Sequence, residues 1–156
     1  MSKLGSSDNP LKVAIVGAGP SGFYAADALI NSDLKVEVNL IEKLCAPYGL
    51  VRTGVAPDHP LIKKSIEKFA VMAEPEEFNY FGNVSVGKDI TVDELKETHH
   101  AVIITMGAET DRKLGIPGED LKGSHTATEF VAWYNGHPEY REREFDLSHD
   151  TAVIIG

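Results

Sequence analysis

Apolar and polar residues near the start of the chain alternate between strand and helix patterns. Residues 12–16 form a short, mainly apolar run rich in β-branched side chains, which is typical of a strand buried on both faces. Residues 20–31 then carry apolar side chains at helical spacing, and residues 34–41 alternate apolar with polar side chains. A strand, a helix and a strand in this order predict a βαβ unit, and therefore a parallel sheet in an α/β fold.

The middle of the chain predicts a loop followed by a helix. Residues 46–60 contain three prolines and two glycines, which disfavour both helix and strand and predict a fixed loop. Loops of this kind often carry functional residues. Residues 61–73 place apolar side chains, among them Ile66 and Phe69, on one helical face and predict an amphipathic helix.

Shorter elements are predicted in the second half. The segments Thr91–Glu94 and Thr126–Glu129 both fit a capping box, so helices are expected to follow them as far as Thr98 and Tyr134. Strands are predicted at 81–86 and 101–105, and the second is expected to be buried.

The last five residues repeat an earlier pattern. Residues 152–156 and residues 13–17 both consist of four apolar residues and a glycine. The repeat predicts another strand that runs into the first glycine, Gly156, of a second phosphate-binding loop. We therefore expect the chain to be the front piece of a longer protein.

Glycines follow the first predicted strand at a recognisable spacing. Gly17-Ala18-Gly19-Pro20-Ser21-Gly22 fits G-x-G-x-x-G between a strand and a helix. In this motif the first glycine permits a tight turn, the second lets a pyrophosphate approach the backbone, and the third allows close helix–strand packing. The free N–H groups at the start of the helix then face the phosphates. The motif predicts a dinucleotide-binding site.

An acidic residue ends the second predicted strand. Glu42 lies 20 residues after Gly22, where a carboxylate accepts hydrogen bonds from a ribose 2'-hydroxyl. The same charge repels a 2'-phosphate. The first nucleotide is therefore predicted to be FAD or NAD and not NADP.

Composition excludes several classes of partner and chemistry. The chain has 156 residues, with 15 basic and 24 acidic side chains and a formal charge of −9, so a nucleic acid is not an expected partner. No apolar run approaches the roughly 20 residues that span a bilayer. Cys45 is the only cysteine, which excludes a dithiol pair or a thiolate metal site within these residues and favours a reducing, cytoplasmic location.

A longer segment is characteristic of one family. The loop Pro47-Tyr48-Gly49-Leu50-Val51-Arg52-Thr53-Gly54-Val55-Ala56-Pro57-Asp58-His59-Pro60 resembles the signature loop of the adrenodoxin reductase type of ferredoxin-NADP reductases. The resemblance covers nearly the whole chain from Val13 onward. Tyr48 replaces the usual Phe, and Thr105-Met106-Gly107 stands where the family commonly has Ala-Thr-Gly. The matching segments after the loop are 81–84, 86–87, 116–119, 133–136 and 150–156.

The resemblance implies a flavoprotein with two dinucleotide-binding domains and a Rossmann-like FAD-binding fold. In such a protein NADPH reduces FAD, and the flavin passes single electrons to an iron–sulfur carrier of the ferredoxin or adrenodoxin type. Residues 11–110 would form the front of the FAD-binding domain. Residues 111–156 would begin the NADP-binding domain, whose NADP site lies mostly outside this chain.

The resemblance also assigns site residues. His59 is the histidine expected beside the isoalloxazine, where it would polarise the ring or relay a proton, and the alternative is that it caps the following helix. No metal site is expected. The predicted FAD contacts are Gly17, Gly19, Pro20, Ser21, Gly22, Glu42, Lys43, Leu50, Val86 and Gly107.

Two other functions stay open at this stage. One is a non-catalytic nucleotide-binding module that holds FAD or an ADP moiety structurally. The other is an NAD-dependent dehydrogenase, which the absence of a Tyr-x-x-x-Lys pair disfavours. As a front piece, the chain by itself is expected to bind FAD weakly and to be inactive as a reductase.

Overall fold

The protein is built on one parallel sheet. The structure is a computed structural model that describes residues 2–108 and 110–155. Its strands are β1 (Leu11–Val16), β2 (Val36–Ile41), β3 (Phe78–Phe81) and β4 (Ala101–Ile104). They pair in the order β3-β2-β1-β4, and all three pairings are parallel. The predicted α/β fold with a βαβ unit is confirmed.

Helices connect and cover the strands. Both predicted capping boxes form, because the hydroxyls of Thr91 and Thr126 accept the N–H groups of Glu94 and Glu129 at 3.1 and 3.2 Å. Within the part of the chain that the structure describes, no helix is long and apolar enough to cross a membrane. The helices are α1 (Pro20–Ile30), α2 (Gly49–Thr53), α3 (Pro60–Lys63), α4 (Ser65–Met72), α5 (Val92–Thr98) and α6 (Ala127–Tyr134).

The two faces of β1 pack against different helices, as a strand buried on both faces requires. One face, which includes Ile15, packs in a core with Phe23 of α1 and Phe69 of α4. The other face, which includes Val16, packs with Leu95 of α5. Burying a side chain of this size contributes about 1.5–3 kcal/mol. The central strand is therefore rigidly held, and so is the start of the loop that follows it.

The prediction for residues 46–73 was wrong in detail. The predicted fixed loop contains the short helix α2, and the predicted single helix is divided at Lys64 into α3 and α4. Lys64 itself keeps right-handed helical dihedrals. The Ser65 hydroxyl donates to the Ile62 carbonyl at 2.6 Å, and such bonding of a side chain to a preceding carbonyl distorts a helix.

Three strand predictions also need correction. The strand predicted at 81–86 was misplaced: β3 runs from Phe78 to Phe81 and shares only Phe81 with the prediction, because Gly82 and the left-handed Asn83 (φ +59°) turn the chain there. β4 is not fully buried, since among the described strands it pairs only with β1, at the edge of the sheet, and leaves Ile104 52% exposed. Residues 152–155 form no strand, because no described strand pairs with them, and Ile154 is 92% exposed. Gly156 lies outside the described residues.

Candidate dinucleotide-binding site

The loop after β1 requires glycine at its first position. Gly17 has a φ of +106°. A Cβ atom there would lie 2.7 Å from the carbonyl oxygen of Thr105 and from the Cα of Met106, which are backbone atoms that cannot rotate away. The Gly17 N–H donates to the Ile41 carbonyl at 2.8 Å and ties the loop to the end of β2. Gly17 thus turns the chain at the carboxyl end of the sheet.

The other two motif glycines differ in their surroundings. A Cβ at Gly22 would overlap the carbonyl oxygen of Gly17 and lie 3.2 Å from Leu40 Cδ1 of the sheet. A Cβ at Gly19 would meet nothing within 4 Å. Gly22 therefore lets α1 approach the sheet, whereas Gly19 borders open space where a phosphate could reach the backbone.

The start of α1 has the properties of an anion-binding helix end. Gly19 is the N-cap and Pro20 occupies the first turn, so no side chain caps the free N–H groups, and the first turn has no acidic residue. Helix N-termini carry partial positive charge. Ser21 is exposed at this end of the helix. The open space beside Gly19 is thus next to uncapped N–H donors.

Glu42 lies against the glycine loop. Its Oε2 accepts the Ala18 N–H at 2.8 Å, and its Oε1 accepts the Leu44 N–H at 3.0 Å. A carboxylate offers about four acceptor positions. Two of them remain for ribose hydroxyls after the two backbone bonds. The bond to Ala18 was not foreseen from the sequence, which shows the spacing of Glu42 but not its contact with the loop.

The signature loop packs directly on the glycine loop. The Tyr48 N–H donates to the Ala18 carbonyl at 2.7 Å, and a Cβ at Gly49 would lie 3.0 Å from Gly19 Cα. Tyr48 adopts a left-handed conformation, with φ at +88°. Such strain in a non-glycine residue is often found at functional sites. Arg52 stabilises the turn, since its Nε donates to the Pro47 carbonyl at 2.9 Å and its guanidinium lies 5.2 Å from the centre of the Tyr48 ring.

Thr105 closes the same site from the other side. Its N–H donates to the Val16 carbonyl at 2.7 Å, and its hydroxyl lies within 3.0 Å of the Val16 carbonyl oxygen and 2.9 Å of that of Gly17. The sequence marks Thr105 only as part of a departure from the family pattern. Its position directly after β4, the strand beside β1, is the signal that could have found it.

The remaining predicted FAD contacts are distributed around this edge. Val86 packs in the core cluster that contains Val16 and Ile41, at the ends of β1 and β2. Leu50 is 61% exposed in α2. Gly107 has a φ of +71° and open space around it. The ammonium of Lys43 lies 3.4 Å from the Glu139 carboxylate, a contact that the sequence did not indicate.

His59 occupies the N-cap position of α3. Its side chain is exposed and makes no cap hydrogen bond, so the structure does not support the alternative in which its imidazole caps the helix. Its carbonyl oxygen accepts the N–H groups of Ile62 and Lys63, both at 3.2 Å. The backbone of His59 therefore caps α3, while its ring is exposed to solvent.

Tyr80 lies near Glu42 and has a raised pKa. The Tyr80 hydroxyl donates to the Leu44 carbonyl at 3.3 Å. Burial of the phenol, together with the negative charge of Glu42, raises the pKa of Tyr80 to about 12. Tyr80 is therefore a neutral donor at physiological pH and supports the turn that holds Glu42.

Two pockets of the molecule lie away from the glycine loop. A pocket of about 680 Å³ is lined by charged, polar and apolar residues, most of them in segment 110–129, and one of about 210 Å³ lies between α5 and the sheet. Residues 17–22 line neither of them, and the candidate site is the groove beside Gly19 at the carboxyl end of β1. Among residues 2–108 and 110–155, no cluster of three metal-ligating side chains occurs.

A glycine turn between a central parallel strand and a helix, with a carboxylate at the end of the next strand, defines a dinucleotide-binding protein of the Rossmann type. The strand order places the groove where β1 separates β2 from β4, at the carboxyl ends of the strands. Comparison with known proteins agrees with this class. Residues 11–156 match the model of the pyridine nucleotide-disulphide oxidoreductase family, and the chain belongs to that family.

Individual relatives show which members of the family the chain is similar to. The chain is 52% identical over 145 residues to the mitochondrial NADPH:adrenodoxin oxidoreductase of Salvelinus fontinalis, covering 93% of this chain and 29% of the relative. It is 52% identical over 149 residues to the NADPH-ferredoxin reductase FprA of Mycobacterium leprae, covering 92% and 33%. The structure of Mycobacterium tuberculosis FprA in complex with NADPH superposes with a TM-score of 0.82 at 49% identity, covering 86% of this chain and 31% of that one.

These matches confirm the resemblance to the adrenodoxin reductase type of ferredoxin-NADP reductases. They also show that the chain spans about a third or less of the length of these relatives. The family description mentions a disulphide, but the sequence contains Cys45 as its single cysteine, and this side chain is exposed. A dithiol mechanism therefore has no pair of cysteines within these 156 residues.

Proposed function

We propose that the chain is the front part of the FAD-binding domain of a flavoprotein reductase. The whole protein would take electrons from NADPH and deliver them through FAD to an iron–sulfur carrier of the ferredoxin or adrenodoxin type. The observation that carries the proposal is the open space at Gly19 beside the uncapped start of α1, together with the Glu42 carboxylate that accepts the N–H of the adjacent Ala18. The reductases named among the relatives support the same activity.

The residues of the groove fit FAD chemically. A pyrophosphate needs a backbone without a Cβ and several N–H donors, and Gly19 with the start of α1 supplies both. The adenosine ribose needs hydrogen-bond acceptors, and Glu42 keeps free acceptor positions. The predicted contacts of Pro20, Ser21, Lys43, Leu50, Val86 and Gly107 belong to the same proposal.

Flavin, when bound, accepts two electrons together and releases them one at a time. The chain's own residues bind and orient it. Glu42 selects a ribose without a 2'-phosphate, and Gly17 and Gly22 hold the loop against the sheet. His59 is proposed to lie beside the isoalloxazine, where its imidazole would hold or donate a proton.

The proposal includes a division of the chain. Residues 11–110 contain the sheet, the glycine loop and the signature loop, and are assigned to the FAD-binding domain. Residues 111–156 are assigned to the beginning of the NADP-binding domain, with most of the NADP site elsewhere. Because the chain spans 29–33% of its relatives, these residues by themselves are expected to bind FAD weakly or not at all and to show no NADPH turnover.

The location is proposed to be cytoplasmic, because a single exposed cysteine suits a reducing compartment. Some relatives carry the word mitochondrial in their names. Cell fractionation with an antibody to the chain distinguishes the two, and recovery in the mitochondrial fraction would contradict the proposal. A ferredoxin-like protein and NADPH are the proposed partners, and a nucleic acid is not.

Titration with FAD tests the binding site. Glu42→Ala should weaken FAD binding by about 1–3 kcal/mol, because charge-assisted hydrogen bonds to the ribose are lost. Glu97→Ala is the matched control, since Glu97 is an exposed carboxylate on α5. Flavin fluorescence measures both affinities. An unchanged affinity in Glu42→Ala, or equal losses in both variants, would refute the assignment.

The absorption spectrum and turnover of the whole protein test the function. A yellow protein that reduces a ferredoxin with NADPH supports the proposal. A colourless protein that takes up no flavin contradicts it, and one that binds NAD instead would be the dehydrogenase alternative. Bound FAD that NADPH does not reduce would favour the non-catalytic nucleotide-binding module.

A further inference from the structure

One lysine joins three helices close to His59. The Nζ of Lys63 donates to the carbonyl oxygen of Arg52 at 3.0 Å and to Oδ1 of Asn135 at 3.2 Å. Arg52 lies in the last turn of α2, and Asn135 is the C-cap of α6. One ammonium group therefore lies between the C-terminal ends of two helices, where the carbonyl groups carry partial negative charge.

The backbone of Lys63 also forms a hydrogen bond with the backbone of His59. The Lys63 N–H donates to the His59 carbonyl at 3.2 Å within the four-residue helix α3. A helix this short has little stability of its own and depends on tertiary contacts. The side-chain bonds of Lys63 supply such contacts, so they hold the turn that begins at His59 against α2 and α6.

The acceptor is itself held in place. The amide Nδ2 of Asn135 donates to the Val131 carbonyl at 3.0 Å, which leaves Oδ1 directed to Lys63. A second contact joins the same segment to the nucleotide groove, since Glu139 lies 3.4 Å from Lys43, the residue after Glu42. Residues 135–139 therefore contact both the Glu42 turn and the His59 turn.

We propose that Lys63 is a positioning residue, which fixes the location of His59 by fastening α3 to α2 and to the cap of α6. The inference rests on the proposed function only for the consequence that His59 lies beside the flavin. The hydrogen bonds that Lys63 makes to α2 and to the cap of α6 do not depend on the proposed function. These bonds also assign a role to residues 135–139, which the dinucleotide motif does not involve.

The chain offers a matched pair of lysines for the test. Lys63→Met removes the ammonium and keeps the aliphatic stem. Lys64→Met makes the same change one residue later, where the side chain is exposed and makes no hydrogen bond among the described residues. Asn135→Leu removes the acceptor while leaving the bond to Arg52. Lys63→Arg keeps a cationic donor and serves as the conservative variant.

NMR spectra of the histidine rings in the 156-residue chain measure the position of His59, whose signal is assigned by its loss in His59→Gln. We expect Lys63→Met and Asn135→Leu to shift this signal, the double variant to shift it no further than Lys63→Met, and Lys64→Met to leave it unchanged. His99, which bonds Asn39 across 3.0 Å, is an internal reference that a positioning role does not move. Restoration of the signal in Lys63→Arg supports the proposal.

An unchanged His59 signal in Lys63→Met, or an equal shift in Lys64→Met, would overturn the proposal. If Lys63→Met does not fold, the comparison of Asn135→Leu with Lys64→Met decides in the same way. In the FAD-loaded whole protein, Lys63→Met should lower NADPH turnover about tenfold at unchanged FAD content, because displaced groups catalyse poorly. Failure of the parent to take up FAD would contradict the proposed function, and the NMR comparison would still decide the role of Lys63.

Discussion

Exchanging single glycines for alanine should separate the two roles of the motif. At Gly22 an added Cβ would overlap the Gly17 carbonyl oxygen and lie 3.1 Å from Thr105 Oγ1 and 3.2 Å from Leu40 Cδ1. The first of these atoms is backbone, so α1 must move away from the sheet. At Gly19 an added Cβ meets nothing within 4 Å and would enter the space proposed for the pyrophosphate.

The expected magnitudes follow from these contacts. Overpacking of this kind costs about 3 kcal/mol at its upper end, and alanine gains about 1 kcal/mol over glycine within a helix. Gly22→Ala should therefore lose about 2 kcal/mol of stability, which lowers the melting temperature by about 4–8 °C in a protein of this size. Gly19→Ala should lose at most about 1 kcal/mol, because alanine is a poorer N-cap than glycine.

Thermal unfolding and FAD titration of both variants provide the assay. Gly19→Ala should weaken FAD binding at least tenfold, a change of about 1.4 kcal/mol, with a small change in melting temperature. Gly19→Ser is the control for capping, since serine is a favourable N-cap but still fills the space. The reasoning is refuted if Gly22→Ala melts with the parent, or if Gly19→Ala and Gly19→Ser bind FAD as the parent does.

Substitutions at Thr105, Tyr80 and Glu94 test individual bonds and ionisations. Thr105→Val should lower the free energy of unfolding, measured by urea denaturation, by about 1 kcal/mol, because it removes the hydroxyl that lies against the Val16 and Gly17 carbonyls. Thr105→Ser keeps the hydroxyl and should lower it much less; equal losses would contradict this. Because the pKa of Tyr80 is raised from 10.0 to about 12, the unfolded chain releases this proton first, so stability should fall as the pH rises from about 10 through about 12. The fall in stability should be smaller in Tyr80→Phe, and an identical dependence of stability on alkaline pH in the two proteins would contradict this expectation. Hydrogen bonds from Thr91 lower the pKa of Glu94, so its contribution is present above the usual glutamate range and is lost as the pH falls through the lowered value. Glu94→Gln should weaken that acid dependence in melting curves, whereas Glu97→Gln should leave it as in the parent.

Local chemistry determined the elements that the sequence predicts best. The capping boxes at Thr91 and Thr126 involve residues three positions apart, so their bonds form wherever the helix forms. The turn at Gly17 likewise needs a conformation that other residues rarely adopt. The βαβ unit was also predicted from local pattern, since the spacing of apolar residues indicates which face of a strand or helix is buried.

Tertiary structure decided the features that depend on distant neighbours. The expectation that β4 is buried was wrong because burial depends on how many strands flank it, and of the strands that the structure describes only β1 does. The Thr105 hydroxyl contacts a loop 88 positions away, and Lys63 contacts Asn135 at a separation of 72. No spacing rule for helices or strands relates residues so far apart in the sequence. The amino-acid sequence by itself therefore determined the glycine loop, its carboxylate and the fold class, whereas the groups that hold the loop and the His59 turn in place were decided by chain segments that meet only when the sheet has formed.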